Sequence, residues 1–342
     1  MNYDKILGCL LGAAAGDAMG AATETRNREQ IEEYFGGYVK KFFTPPEDTF
    51  AHGCEKGQIT DDFSIAYLNC CEIVKNGGVA TEDVAKKALL KWYDVPQFSR
   101  FAGPTTKAAI HTMMGQQKKE TTFTPAVDNG KGTNGAAMKA SPLALFSGGN
   151  VDQAIEDTLI MCRVTHNNNV ALSGACAVAA ATAAALKKES KLEDIIKAGV
   201  YGAVKGDEAG RRDGKEICGP SIAKRIQKAV EIGMTSRGMK EAICGIEDYI
   251  GSGLMAAEAV PAVFGIIAAS GGSALEGIFG AVNIGDDTDT VATMVGGILG
   301  AWEGAKAFPE EYLTIIHEHN PIDLKKLAGQ IWELAEREGK NV

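Results

Sequence analysis

Apolar residues recur at three- and four-residue intervals along most of this chain, the spacing of helices with one buried face. Thr81-Glu82-Asp83 supplies a cap and an acidic first turn for a helix over Val84 to Trp92. The same pattern predicts helices over Asp152 to Val164, Val170 to Leu186, Leu192 to Val204, Ser221 to Ile232 and Leu324 to Glu338. Ala175 to Ala185 is dominated by alanine, whose high helix propensity and small side chain let neighbouring helices come close. Gly296, Gly297 and Gly300 suggest the same, because glycine costs about 1 kcal/mol against alanine inside a helix and some packing demand must offset it. The best strand candidate is Tyr38 to Phe43, which ends at Pro45-Pro46. No strand–helix alternation and no Pro- or Ser-rich linker divides the chain. Pro45 to Gly57, Gln116 to Gly132 and Lys205 to Lys215 read as polar surface loops. The expectation is all-α, one compact multi-helix domain over residues 1–342.

Composition narrows the classes. With 342 residues, 45% hydrophobic and 23% charged, the chain has the make-up of an ordinary globular protein. A net charge of −9 argues against non-specific binding to nucleic acid or an anionic membrane, and neither is an expected partner. The eight cysteines form no Cys-x-x-Cys pair and mostly sit in apolar helical contexts, as free thiols do in a reducing cytoplasm. Ile6 to Ala15 raises the question of a signal peptide. Asp4 precedes it, Asp17 follows it, and the basic flank has only Lys5, so a buried helix is expected instead. No apolar run has the length and freedom from charge and glycine of a membrane span.

The chemistry concentrates in Asn283-Ile284-Gly285-Asp286-Asp287-Thr288-Asp289-Thr290, which opens the apolar segment Val291 to Ala301. A smaller echo, Gln58-Ile59-Thr60-Asp61-Asp62, opens another apolar run. Two carboxylates about 4 Å apart repel by roughly 4 kcal/mol at an effective dielectric near 20. A cluster of Asp61, Asp62, Asp287 and Asp289 would need compensation from helix N-termini and from bound divalent cations. An all-oxygen donor set without Cys or His favours magnesium, manganese or calcium. Two other readings stand beside this one. Asp and Thr are ordinary helix N-caps. Asp287-Thr288-Asp289-Thr290-Val291 also fits the Asp-x-Asp-x-Thr/Val nucleophile motif of haloacid-dehalogenase-like phosphatases, but it lacks the preceding strand which that motif requires.

Lys131-Gly132-Thr133-Asn134-Gly135-Ala136-Ala137-Met138 is a glycine-containing turn that feeds a helix, so its N–H groups could face a phosphate, although it lacks the ending of a P-loop. Thr165-His166-Asn167-Asn168-Asn169 is a polar knot between apolar helices. His317-Glu318-His319 places its histidines two apart, off any shared helical face, and reads as surface. Gly251-Ser252-Gly253-Leu254-Met255-Ala256 fits a loose dinucleotide fingerprint with no strand before it, and is discounted.

In order along the chain, Gly8 to Gly20 with Glu24, Thr60-Asp61-Asp62, Gly132 to Pro142, Thr165-His166, Glu258 with Pro261, and Gly285 to Thr290 resemble the ADP-ribosylglycohydrolase family. That group is named for the hydrolase that reactivates ADP-ribosylated dinitrogenase reductase. Gly103-Pro104-Thr105-Thr106-Lys107 together with Thr133 to Met138 looks most like a bacterial subgroup. The resemblance implies an all-α fold around a dinuclear magnesium or manganese site. Thr60, Asp61 and Asp62 would be ligands from one helix start, and Asp287, Asp289 and Thr290 from the other. It implies that Gly132, Thr133, Asn134, Gly135 and Met138 line the substrate, with His166 beside them. The target ribose would sit at the metals, which would polarise a water for attack at the anomeric carbon. Glu24, Asp61 and Asp289 are the candidates for the general acid or base.

Two departures stand out: Asp286 where many relatives carry glycine, and Lys139 where many carry arginine. The expected substrate is an ADP-ribosylated protein or a small ribosyl molecule, and the expected assembly a monomer or small homo-oligomer. A nucleoside hydrolase and a non-catalytic ADP-ribose binder are the rivals. Four clustered aspartates argue against the binder.

Overall fold

The computed structural model describes residues 2–116, 127–337 and 339. The helices run α1 Tyr3–Gly20, α2 Arg28–Phe35, α3 Asp61–Lys75, α4 Glu82–Tyr93, α5 Pro96–Ser99 and α6 Pro104–Met113. They continue with α7 Ala140–Leu143, α8 Val151–Arg163, α9 Asn169–Ala185, α10 Leu192–Asp213, α11 Ile222–Thr235 and α12 Met239–Tyr249. The last five are α13 Ala256–Ala269, α14 Ala274–Val282, α15 Thr288–Glu303, α16 Glu310–His319 and α17 Leu324–Arg337. Among the described residues the only β structure is two isolated bridges, Thr133 with Met255 and Asn168 with Lys215. The fold is all-α. None of its described helices is long and apolar enough to cross a membrane.

The centre of the molecule is the antiparallel pair α1 and α15. Gly8, Gly12, Gly16 and Gly20 recur every fourth residue and so lie in one row along α1. A methyl group on the first three would collide with the carbonyl oxygens of Gly300, Gly296 and Ala292 on α15. The two backbones therefore touch, which larger side chains would forbid, and Gly297 admits Ser141 in the same way. The consequence for function lies at the end of the row. Gly20, the last residue of α1, abuts the backbone of Asp289 in the first turn of α15. A contiguous buried cluster from Ile6 to Ala335 packs around this pair, with α9 wholly buried beside it.

Two sequence-based expectations need correction. Lys205 to Lys215 is largely helix, because α10 runs on to Asp213. Ion pairs Lys205–Glu208 and Arg211–Asp207 span single turns, and Gly206 and Gly210 lie against the backbone of Leu172 and Asn169 on α9. The polar composition marked an exposed helical face. Tyr38 to Phe43 forms no strand. Val39 instead pairs with the side-chain amide of Asn283, which accepts from its N–H at 2.9 Å and donates to its carbonyl at 2.8 Å. An asparagine side chain thus takes the place of a partner strand. The Pro45 to Gly57 stretch runs as successive turns, and much of Gln116 to Gly132 lies outside the described residues.

Candidate active site

The contact of Gly20 with Asp289 brings together two turns far apart in sequence. The chain leaves α1 through a tight turn in which Thr23 and Glu24 both donate their N–H to Gly20. The Thr288 hydroxyl also reaches the Gly20 carbonyl, at 2.9 Å, and lies 2.9 Å from the Thr23 hydroxyl. Beyond Glu24, Thr25 donates its N–H to the Asp286 carbonyl (2.8 Å), and Asp286 donates its own to the Arg26 carbonyl (2.9 Å). Thr25 and Asp286 hold φ of 69° and 60°, the two non-glycine left-handed residues of the described chain. Position 286 is thus one where glycine is the unstrained choice.

The Thr60-Asp61-Asp62 turn is held by a residue that sequence reasoning passed over. Asp17, wholly buried on α1, accepts the Thr60 N–H, the Thr60 hydroxyl (2.8 Å) and the Phe63 N–H (2.9 Å). A carboxylate inside an otherwise apolar helix was the signal, since such a group must find partners when buried. Thr60 does cap α3, accepting the Asp62 N–H at 3.3 Å. Asp287 occupies the N-cap position of α15 but makes no capping bond with its side chain. Its carboxylate accepts instead from the Asn134 side-chain amide at 2.6 Å. The Asp62 carboxyl is raised by the Asp287 charge and lowered by Thr290, so the two acidic turns meet.

Glu24, Asp287 and Asp289 each offer an oxygen within 4.8 Å of the others. The charges are mutually unfavourable. Burial, then Asp287, Asp61, Asp17 and Asp286, pushes the Glu24 carboxyl up to about 8. Burial and Asp17 push Asp61 up to about 8, with Lys107 the opposing cation. Asp62 and Asp289 are raised well above the usual carboxylate range, first by burial and then by their acidic neighbours. Burial also raises Asp287, against hydrogen bonds from Asp289, Asn134 and Thr290. The Asp287 charge is among the causes that raise Asp289. Asp62 Oδ1 is buried with no hydrogen-bond partner. Such a cluster binds protons or binds cations. An all-oxygen donor set with one orphaned carboxylate oxygen fits a hard divalent cation. No strand ends at Asp287 among the described residues, which removes the phosphatase motif reading.

The Gly132-to-Met138 turn lies alongside. Asn134 donates its side-chain amide to Asp287, and its backbone N–H goes to the Leu254 carbonyl at 2.9 Å. Gly132 accepts from Ala256, and Thr133 bridges Met255. The N–H groups of Ala137 and Met138 are spent on the Asn134 carbonyl, so neither is open to a phosphate. Gly135 packs against the Nε2–Cε1 edge of the His166 ring, where a Cβ would come within 2.9 Å of both atoms. The Gly251 to Ala256 segment, discounted as a dinucleotide loop, braces this site. The Ser252 carbonyl accepts from Asp287, and its hydroxyl donates to Gly285 at 2.9 Å. His317 accepts the Leu324 N–H and stands apart from the cluster.

The structure thus joins an all-helical architecture to a carboxylate cluster beside a glycine-containing turn. The model of the ADP-ribosylglycohydrolase family matches residues 1–341, and the chain belongs to that family. Named relatives in it include ADP-ribosylhydrolases and an ADP-ribosyl-[dinitrogen reductase] glycohydrolase, and this chain is a glycosidase of that family. It is 27% identical over 341 residues to the uncharacterized protein YegU of Escherichia coli K12, covering 96% of each chain. It is 25% identical to human ADP-ribosylhydrolase ARH3, covering 94% of this chain and 92% of that one. A solved ADP-ribosylglycohydrolase-related protein complex superposes with a TM-score of 0.68 at 23% identity, covering 97% of this chain and 98% of that one, a likeness of fold alone.

Proposed function

We propose that this enzyme hydrolyses the N- or O-glycosidic bond between ADP-ribose and an acceptor, a protein side chain or a small molecule, using two divalent cations, magnesium or manganese. The observation that carries the reading is the convergence of Glu24, Asp287 and Asp289 beside the orphaned Asp62 oxygen. Thr60, Asp61, Asp62, Asp287, Asp289 and Thr290 would hold the cations. Bound there, the cations would orient ribose hydroxyls and acidify a water.

The chain's own groups do the rest. Asn134 fixes one Asp287 oxygen. Asp17 fixes Thr60, whose hydroxyl donates to Asp17. Glu24 is half-buried with its carboxyl at the cluster, which suits a group that passes a proton to a leaving atom or takes one from water. Developing positive charge at the anomeric carbon would be stabilised by the same carboxylates that repel one another without it. Gly132, Thr133, Asn134, Gly135, Met138 and His166 would hold the ADP-ribose. We read the chain as one domain acting in the cytoplasm, a placement that its free cysteines suit.

The test is a release assay read by mass spectrometry, offering arginine-linked and serine-linked ADP-ribosyl peptides beside a panel of nucleosides. Release of ADP-ribose that stops on chelation and is absent in Asp289→Asn is the expected result. Release of a free base from nucleosides alone would move the substrate to a small ribosyl compound. Full activity of the chelated enzyme would overturn the cation role.

A further inference from the structure

Lys139 is 3% exposed and makes no ion pair among the described residues. Its ammonium donates to the Thr165 hydroxyl oxygen at 3.3 Å. That oxygen also lies 2.8 Å from His166 Nδ1 and 3.3 Å from the Cys162 carbonyl. The hydroxyl has one proton to give, and Lys139 can only donate. The Cys162 carbonyl already accepts the N–H groups of Thr165 (3.1 Å) and His166 (2.9 Å). With the Cys162 carbonyl already taken twice, the 2.8 Å contact to Nδ1 is the shorter of the two acceptors within reach of that proton, and donation from Thr165 O–H to Nδ1 is the arrangement proposed below. The ammonium behind it polarises the hydroxyl and strengthens that donation.

An imidazole that accepts at Nδ1 carries its own proton at Nε2. The ring stays neutral, since burial and then the charges of Lys139 and Lys131 push it down to about 3. Nε2 has no protein partner among the described residues. It lies on the edge that faces Gly135, next to Asn134 and its Asp287 contact.

We propose that Lys139 and Thr165 are positioning residues that fix the tautomer of His166, so that its Nε2–H is held as a neutral donor to an oxygen of the ligand seated on the Gly132-to-Met138 turn. The identity of that ligand as ADP-ribose rests on the function proposed above. The relay itself is a property of the free protein. A buried lysine without a counter-ion thereby biases one hydroxyl proton in one direction. Histidine as a charged phosphate binder is not needed, and arginine at 139 would serve the same end only if one of its N–H groups reached Thr165.

Long-range proton–nitrogen NMR correlations on the labelled, ligand-free protein test this directly, with His166→Gln assigning the signal. The expected wild-type spectrum has a pyrrole-type Nε2 and a pyridine-type Nδ1. Thr165→Val should move the proton to Nδ1 or leave a mixture, and Thr165→Ser should restore the wild-type form. Loss of one such hydrogen bond should weaken ADP-ribose binding by roughly fivefold in Thr165→Val, with Lys139→Met following in the same direction. A proton on Nδ1 in the wild type, or an unchanged tautomer in a folded Thr165→Val, overturns the relay. Nε2 protonation that Thr165→Val disturbs, in a protein that binds no ADP-ribose, supports the relay and overturns the substrate.

Discussion

The carboxylate of Asp17 accepts both the backbone N–H and the hydroxyl of Thr60, so one buried side chain on α1 sets the start of α3. Burial pushes Asp17 up to about 7, against the bonds from Phe63 and Thr60 that pull it down. Asp17→Ala would leave those donors unpaired beside a cavity. We expect a loss of about 3 kcal/mol in chemical denaturation and weaker manganese binding by calorimetry. Asp17→Asn keeps one acceptor and should cost roughly 1 kcal/mol. Equal stability of Asp17→Ala and wild type would show that the Thr60 turn holds its shape unaided.

The raised carboxyls make a prediction about pH. Asp17, Glu24 and Asp61 sit at about 7, 8 and 8 in the folded protein, against about 4 for unfolded carboxyls. The folded state therefore binds more protons than the unfolded state. The contribution of these groups to stability is full below about pH 4 and is lost as pH rises through about 7 to 8. Chelated protein should show a melting temperature that falls between pH 6 and 8.5. Added magnesium or manganese should raise it, and by more at the alkaline end, because cations replace the protons. A flat profile without metal would contradict the crowding of charge in this cluster.

How much of this was legible in the chain can be judged from particular residues. The helices were, because periodic apolar positions and caps such as Thr81 report on local geometry. Lys205 to Asp213 misled because its polarity comes from an exposed face, while Gly206 and Gly210 gain their meaning only from α9. Tyr38 to Phe43 misled because Asn283, distant in sequence, supplies the pairing. The acidic turns stood out by composition. That Asp287 leaves its cap unmade could not be read from a sequence, and neither could the convergence of Glu24 upon it. Both depend on where α1 ends relative to α15.

Asp286 offers a test of backbone strain. Its φ of 60° is left-handed, and its N–H is tied to the Arg26 carbonyl. Asp286→Gly and Asp286→Ala remove the same charge and differ only in the Cβ. The glycine variant should be the more stable by about 1 kcal/mol in matched urea titrations. Both variants should ease the Glu24 carboxyl only slightly, since Asp286 ranks below Asp287, Asp61 and Asp17 among the charges that raise it. Alanine equal to or better than glycine would mean that the turn relaxes away from this conformation.

The glycine row of α1 and α15 is the feature on which the whole site depends, and it can be tested against an internal control. A methyl group on Gly296 would meet the Gly12 carbonyl, which belongs to a rigid helix and cannot step aside as a flexible side chain would. Separating the two helices would carry Asp289 away from Gly20 and Glu24. Gly296→Ala should therefore cost about 3 kcal/mol or more, although alanine is the better helix former by about 1 kcal/mol. Gly329 lies inside α17 with nothing near the position of a Cβ, so Gly329→Ala should gain about 0.5–1 kcal/mol. Turnover should fall in the first variant and hold in the second. Opposite signs in denaturation, with activity following only the α15 change, would show that helix contact and not helix propensity positions the carboxylates. Equal gains in both would show that the α1–α15 contact yields to a methyl group at no cost.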